Sequence, residues 1–473
     1  MVDDLTRYRT LRTELEEAVL PLATSVDGRR FVLQAPLAGS TLQPGGYVAL
    51  GDRLGQVTGL RLDERLGPEL DLQVGRMRVT LRLLAGEGVV LGGDGMPFHD
   101  AAVRPADAAD VAAHLERTAP PRARLAVGEL ALSEGVPIHL DAGGFDRHTF
   151  LCGQSGSGKT YSLGLILERL LADTSLRLIV LDPNSDYVSL GRLRDGGTTP
   201  WRVAVRRADD GLHLRLADLD AETQAAMLRL DPIDDREDYA VLLETIEQRG
   251  GGAVRELETS ERPAERALGL RVRNLGATGW GVWAGPHRPS VIEEVAAAEE
   301  RVLVLDLGSL STAHEEALVA AAVLAELWRR RAEREPVLVV IDEAHNVCPA
   351  RPDHPLTALA TQYAIRIAAE GRKFGLYLLV STQRPQRVHE QVLSQCDNLV
   401  LMRMNSAADL AHVAATFSFV PEGLLERATE FRLGEALVAG KLAPHPALVR
   451  FGSRLTAEGG ADVPATWAAP GDA

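Results

Sequence analysis

The sequence predicts an α/β chain in two parts: a small β-barrel, followed by a parallel-sheet core with a mostly helical insertion. Three observations carry this. Short apolar runs broken by glycine fill the stretch from Arg30 to Val103. Strand–helix alternation takes over after Ala123. A glycine-rich octapeptide, Gly153 to Thr160, joins one of those strands to the helix that follows it.

The elements are expected in this order. Residues 1–21 hold an amphipathic helix, with Leu5, Tyr8, Leu11, Leu15, Val19 and Leu20 at helical spacing. Residues 22–105 form the barrel, from runs such as Phe31–Leu33, Tyr47–Leu50, Gln56-Val57 and Val79–Leu83. A linker over 106–125 contains a helix at Ala106–Arg117 and a boundary at Pro120-Pro121. The core spans 126–455. Its strands are Phe150–Cys152, Arg177–Leu181, Val302–Leu307, Val337–Ile341, Tyr377–Ser381 and Leu399–Met402, with a helix at Tyr161–Leu171. A mostly helical insertion occupies about 205–298. Ala436–Ala439 and Ala447–Phe451 suit a closing hairpin, and 456–473 reads as a frayed Ala/Gly/Pro-rich tail.

A chain of 473 residues is long enough for two to four domains. With 45% apolar and 25% charged residues it is not wholly disordered. The net charge of −15 argues against a protein that coats nucleic acid with its whole surface, yet leaves room for a basic channel. Cys152, Cys348 and Cys396 cannot all pair within one chain and show no Cys-x-x-Cys spacing, which favours a reducing, cytoplasmic setting. Met1–Glu17 alternates acids and arginines and lacks the apolar run of a signal peptide. The longest uncharged window, Phe31–Gly51, is interrupted by Pro36, Gly39, Pro44, Gly45 and Gly46, so it reads as strands and turns; no membrane partner is expected.

Gly153-Gln154-Ser155-Gly156-Ser157-Gly158-Lys159-Thr160 fits G-x-x-x-x-G-K-[ST] at every fixed position. Its glycines let backbone N–H groups turn inward around an anion, and the helix N-terminus adds partial positive charge there. Lys159 suits the β- and γ-phosphates of ATP, and the Thr160 hydroxyl suits Mg²⁺. Only Lys159, Lys373 and Lys441 are lysines in this arginine-rich chain, which makes a chance match less plausible. Val337–Ile341 ends in Asp342-Glu343, a Walker B pattern: Asp342 for the metal, Glu343 for the attacking water. Gln383, at the tip of the next strand, is placed to sense the γ-phosphate or else to cap its own loop. Asp182 ends the strand after the first helix, where ligands of an open parallel sheet collect.

Other patterns carry less. His345 and Cys348 form one half of a metal pattern with no second half. Arg329-Arg330-Arg331 suits its own helix C-terminus and solvent. Arg372 and Lys373 fit a solvated loop and a phosphate-directed pair equally well.

Together these segments resemble the HerA-type hexameric ATPases of the HerA–FtsK superfamily. The likeness runs over about residues 126–452. It is carried by Arg147-His148, the P-loop, Leu181–Tyr187, Val339–Asn346, Glu370–Gly375, Ser381–Pro385 and Leu393–Cys396. It implies a RecA-like P-loop ATPase core behind a HerA-type barrel. The implied protein is a cytoplasmic, ring-forming translocase or helicase on double-stranded DNA, working with a NurA-like nuclease or another effector in DNA end processing or anti-phage defence. Arg147 and Arg372 then correspond to arginines that reach a neighbouring subunit's nucleotide. Arg384 and Arg387 are candidate DNA contacts. A regulatory ATPase that scaffolds a defence complex, and a conjugation or secretion motor, are the alternatives. Two departures stand out: Asp-Pro-Asn-Ser-Asp-Tyr at 182–187 where the family usually has Asp-Pro-His-Gly-Glu-Tyr, and Asp342 where two glutamates are common.

Overall fold

The computed structural model describes residues 2–72, 75–120, 123–285 and 288–459. Pro121 of the expected boundary and residues 460–473 of the expected tail lie outside the described residues. The chain divides into two compact units. One joins Met1–Asp141 to Leu401–Gly452; the other joins Ala142–Val400 to the segment from Ser453 onward.

The first unit begins with helix α1 (Val2–Glu17). Strands β1 (Leu22–Ser25), β2 (Arg30–Pro36), β3 (Tyr47–Leu50), β4 (Arg53–Leu72), β5 (Gly75–Leu91) and β6 (Phe98–Pro105) follow. They close into a barrel in the order β1-β2-β5-β4-β3-β6, which leaves no open edge around the ring. Its interior is filled by Ala23, Phe31, Leu33, Val48, Leu50 and Val57, so it is a packed core.

The runs read as short strands around 53–91 are in fact two long ones. β4 and β5 pair antiparallel from Leu54↔Leu91 out to Leu72↔Gly75, with irregularities at Val57/Gly59 and Leu66/Glu69. Glycines that looked like strand breaks are absorbed within the ladder. At Gly88, for instance, a Cβ would meet the Gln56 carbonyl and the Phe31 ring, so glycine there marks a close approach and not a turn.

Helix α2 (Ala108–Thr118) is capped by Asp107, whose carboxylate accepts from the Asp110 amide. The expected onset of strand–helix alternation after Ala123 is displaced. The chain first makes an antiparallel hairpin, β7 (Arg124–Leu130) with β8 (Pro137–Asp141).

The second unit is built on parallel strands. They are β9 (His148–Cys152), β10 (Arg177–Asp182), β11 (Val203–Arg206), β12 (Val302–Asp306), β13 (Val337–Ile341) and β14 (Leu376–Thr382). Their order is β11-β12-β10-β13-β14-β9, all parallel. β9, β12 and β13 are buried at every residue, the pattern of strands covered on both faces. Burying each large aliphatic side chain stabilises by about 1.5–3 kcal/mol relative to exposure.

Helix α3 (Lys159–Asp173) leaves the P-loop, and the Thr174 hydroxyl caps its end through the Leu170 carbonyl. The insertion contributes α4 (Ala221–Met227), α5 (Arg236–Arg249), α6 (Arg266–Leu275) and α7 (Val291–Ala297). α7 starts with a Ser290–Glu293 capping box. Helices α8 (Ala313–Arg329), α9 (Pro355–Glu370) and α10 (Glu390–Leu393) complete the unit, and β15 (Cys396–Met402) carries the chain onward.

Back in the first unit, α11 (Ala407–Thr416) and α12 (Glu422–Leu425) precede β16 (Glu435–Ala439) and β17 (Ala447–Phe451). β16 and β17 form the expected hairpin, and β17 pairs with β7. All three cysteines are buried, and none is placed in a disulfide. Among the described residues, no helix is long and apolar enough to cross a membrane.

Candidate nucleotide site

β14 lies between the P-loop strand β9 and the acid-bearing strand β13, so three adjacent strand tips converge. The P-loop turns from β9 into α3 through two left-handed glycines, Gly156 (φ 70°) and Gly158 (φ 91°). A side chain at either would be strained. Gly153 is buried, Ser155 and Gly156 are exposed, and Gln154 and Thr160 are half-buried. The Ser157 hydroxyl is buried with no hydrogen-bond partner.

Lys159 is buried and donates to Asp342 Oδ1 at 2.7 Å; its Nζ also lies 3.0 Å from Glu343 Oε1 and 3.3 Å from Ser381 Oγ. Burial alone would lower its pKa, but Asp342 and Glu343 reverse that and hold it above the ordinary lysine value. Glu343 is bonded at both oxygens. Oε1 accepts from Gln383 Nε2 at 2.9 Å, and Oε2 accepts from the Gln383 amide at 3.3 Å. His345 Nδ1 sits 3.3 Å from Oε2 and 3.0 Å from the Thr382 hydroxyl. Burial pushes the Glu343 carboxyl up, yet His345, Lys159 and the Gln383 amide together bring it down to about 2. Glu343 also takes φ 40°, rare for a residue with a side chain and a mark of backbone held in place by its surroundings.

Asp182 is fully buried, but its carboxylate accepts the backbone amides of Asn184, Asp186 and Tyr187, at 3.3, 3.0 and 2.8 Å. Its visible work is to shape the loop that follows, and burial raises its pKa to about 7. The acid nearer the P-loop is Asp186, which accepts from the Thr160 hydroxyl at 3.4 Å. Tyr187, fully buried, donates to Asp342 Oδ2 at 3.4 Å. The segment after Ser453 straps α3. Glu168 accepts from the Leu455 and Thr456 amides and the Thr456 hydroxyl, and the Tyr161 hydroxyl accepts from the Arg454 amide.

Lys159, Asp342, Glu343 and Gln383 are thus brought together, whereas Asp182 is turned onto the amides of its own loop. Arg147 and Arg372 stand apart: they lie at the opposite ends of the strands, before β9 and β14. Arg384 and Arg387 are exposed beyond the tip of β14. Four participants were assigned no role in the sequence. Ser381 and Tyr187 appear only within the segments that carry the resemblance, Asp186 there and as a departure, and His345 there and as half a metal pattern.

Asp342 and Glu343 bond to Lys159 and Asp186 feels its charge, while burial followed by the Asp342 charge raises the Asp186 pKa. A phosphate cradle with an orphaned hydroxyl and a surplus of carboxylate beside a threonine hydroxyl is a donor set that suits Mg²⁺ with a nucleotide.

Residues 125–267 match the family model described as helicase HerA, central domain. Over 394 residues the chain is 25% identical to the DNA double-strand break repair helicase HerA of Pyrococcus furiosus, covering 69% of each chain. Among solved structures, VirB4 of Thermoanaerobacter pseudethanolicus is similar with a TM-score of 0.51 and 17% identity, over 71% of this chain and 98% of that one. The plasmid coupling protein TrwB, solved with a non-hydrolysable GTP analogue, gives 0.53 and 13%, over 75% and 94%. The two structural likenesses establish a shared fold, in agreement with the fold class read from the sequence, and the family-model match agrees with the resemblance read from the motifs.

Proposed function

We propose, for a chain related to the HerA helicases through their central domain, that it hydrolyses ATP to move along double-stranded DNA as a homohexameric ring. The observation that supports this most is Lys159 held between the two Walker B acids, Asp342 and Glu343. In this arrangement the Lys159 cation offsets part of the charge of the two carboxylates. When the phosphates of ATP occupy the loop, Lys159 exchanges the two carboxylates for phosphate oxygens, and backbone amides of the P-loop take the rest. Glu343 then loses the Lys159 cation, which helps hold its pKa at about 2, its basicity rises, and it is able to accept a proton from water. Gln383, bonded to Glu343 through side chain and amide, feels that change and passes it to the Arg384–Arg387 turn.

Thr160 and Asp342 would hold Mg²⁺, which supplies charge neutralisation at the β- and γ-phosphates. Asp186 and Tyr187 keep the Thr160 hydroxyl and the Asp342 carboxylate oriented. DNA contacts are phosphate-directed and salt-sensitive, with Arg384 and Arg387 contributing. A partner nuclease or other effector, in end repair or anti-phage defence, and a cytoplasmic setting complete the proposal.

The deciding experiment is steady-state ATP hydrolysis with and without long linear duplex DNA, with Glu343→Gln as the blank. Strong stimulation that fades with added salt is expected. Hydrolysis indifferent to DNA would sink the translocase and leave a regulatory ATPase awaiting its effector.

A further inference from the structure

Arg147 and Arg372 come from different elements, yet both converge on one carboxylate. Arg147 Nε lies 3.3 Å and Arg372 Nη1 3.5 Å from the same oxygen, Oδ2 of Asp397. Arg147 also pairs with Asp146 at 3.3 Å. The side chains of Arg372 and Asp397 are nearly half exposed, and that of Arg147 about a third.

The backbone around this trio is held firmly. Asn398, next to Asp397 and fully buried, donates to the Gly144 carbonyl at 2.9 Å and to the Thr149 hydroxyl at 3.0 Å. That ties the start of β15 to the turn that presents Arg147. Beneath, His148 Nδ1 accepts the Leu378 amide at 2.9 Å, which fixes the start of β9 against β14. Burial lowers the His148 pKa to about 4, so at neutral pH it adds no third positive charge. Two guanidiniums that share the Asp397 carboxylate therefore form a fork on rigid supports.

The fork cannot serve its own P-loop. Arg147 precedes β9 and Gly153 follows it; six residues of extended chain span about 20 Å. Arg372 is separated from the Gln383 tip by the whole of β14. If these arginines meet a nucleotide, it belongs to another copy of the chain.

We infer that Asp397 is the positioning residue of this arginine fork, holding Arg147 and Arg372 side by side so that both engage the triphosphate bound by a neighbouring copy. The inference rests on the ring ATPase proposed above. Unbridged, the two cations repel and their long side chains disperse. The Asp397 carboxylate keeps them together until a phosphate, carrying more charge, displaces it. Asp397 touches no substrate.

The test is kinetic. Asp397→Asn, exposed and expected to fold, should leave the KM for ATP unchanged and lower kcat about tenfold, with Asp397→Glu restoring much of it. Co-expression with Lys159→Ala chains, which bear intact forks but cannot use ATP, should return turnover to the Asp397→Asn sites. Wild-type kcat in Asp397→Asn would overturn the inference. So would a defect that persists in mixed rings while those of Arg147→Ala and Arg372→Ala are rescued. If the arginine variants are not rescued either, the shared nucleotide site fails with it.

Discussion

The two ends of the parallel strands in the second unit are built on opposite terms. At the carboxyl ends, Lys159, Asp342, Asp182 and Glu343 are buried, with Lys159 bonded to three groups and Glu343 to four. At the amino ends, Arg147, Arg372 and Asp397 are partly open to solvent and joined by contacts of 3.3–3.5 Å. A saturated, desolvated cluster changes only when a ligand replaces its bonds one for one. A half-exposed fork is cheap to undo, which suits a group that trades an internal partner for an external one. On the proposed function, one end holds a nucleotide and the other is offered to a neighbouring copy.

That contrast is open to breaking, beginning with the largest effect. Lys159→Ala removes the one cation in the acid cluster and should reduce ATP turnover to background; ordinary turnover would dismiss the buried end as the nucleotide site. Arg147→Ala and Arg372→Ala should lower kcat by on the order of 10³, since a cation supplied to the transferring phosphoryl group is worth ~10³–10⁵. Nucleotide binding, read with a fluorescent ATP analogue, should remain near wild type in both. Loss of binding instead would place those arginines at their own subunit's site and erase the distinction between the ends.

Stability variants sharpen the same comparison. Glu168→Ala strands one buried and one part-buried amide and a hydroxyl on the strap over α3 and removes an acid whose charge favours the buried Arg454 cation, itself 2% exposed. Urea unfolding should report a loss of about 3–5 kcal/mol. A change under 1 kcal/mol would show that the strap does not brace the P-loop helix. The smallest effect concerns pH. His148 binds its proton only near pH 4 in the folded chain but near 6.5 when unfolded. Between those values the unfolded state holds more protons, so stability is full above 6.5 and falls as the pH drops toward 4. His148→Asn, able to accept the Leu378 amide, should flatten that slope by at most ~1.4 kcal/mol per pH unit. An unchanged slope would mean the ring titrates normally in the folded chain.

Much of this was legible because the chemistry is contiguous. A strand, a glycine turn and a helix place the P-loop using local dihedral preferences alone, and Asp342-Glu343 follow directly from an apolar strand. The barrel was legible as a class but not in detail. Glycine reads as a breaker in sequence, whereas Gly88 sits inside a long ladder because the Phe31 ring and the Gln56 carbonyl leave no room for a Cβ. The hairpin of β7 and β8 was missed for a related reason: an antiparallel pair leaves the same short apolar runs as a strand about to enter a helix.

By itself the sequence determined the phosphate cradle, the two acids at the end of β13 and the alternation that makes a parallel sheet. Only the tertiary structure decided what each charge faces. It turned Asp182 onto the amides of its own loop, set Lys159 between acids 183 and 184 residues away in the chain, and gathered Arg147, Arg372 and Asp397 at the amino ends of the strands. The physical reason is strand order. Placing β14 between β9 and β13 fixes which strand tips touch, and that choice is made by packing among buried faces that look alike in a list of valines and leucines.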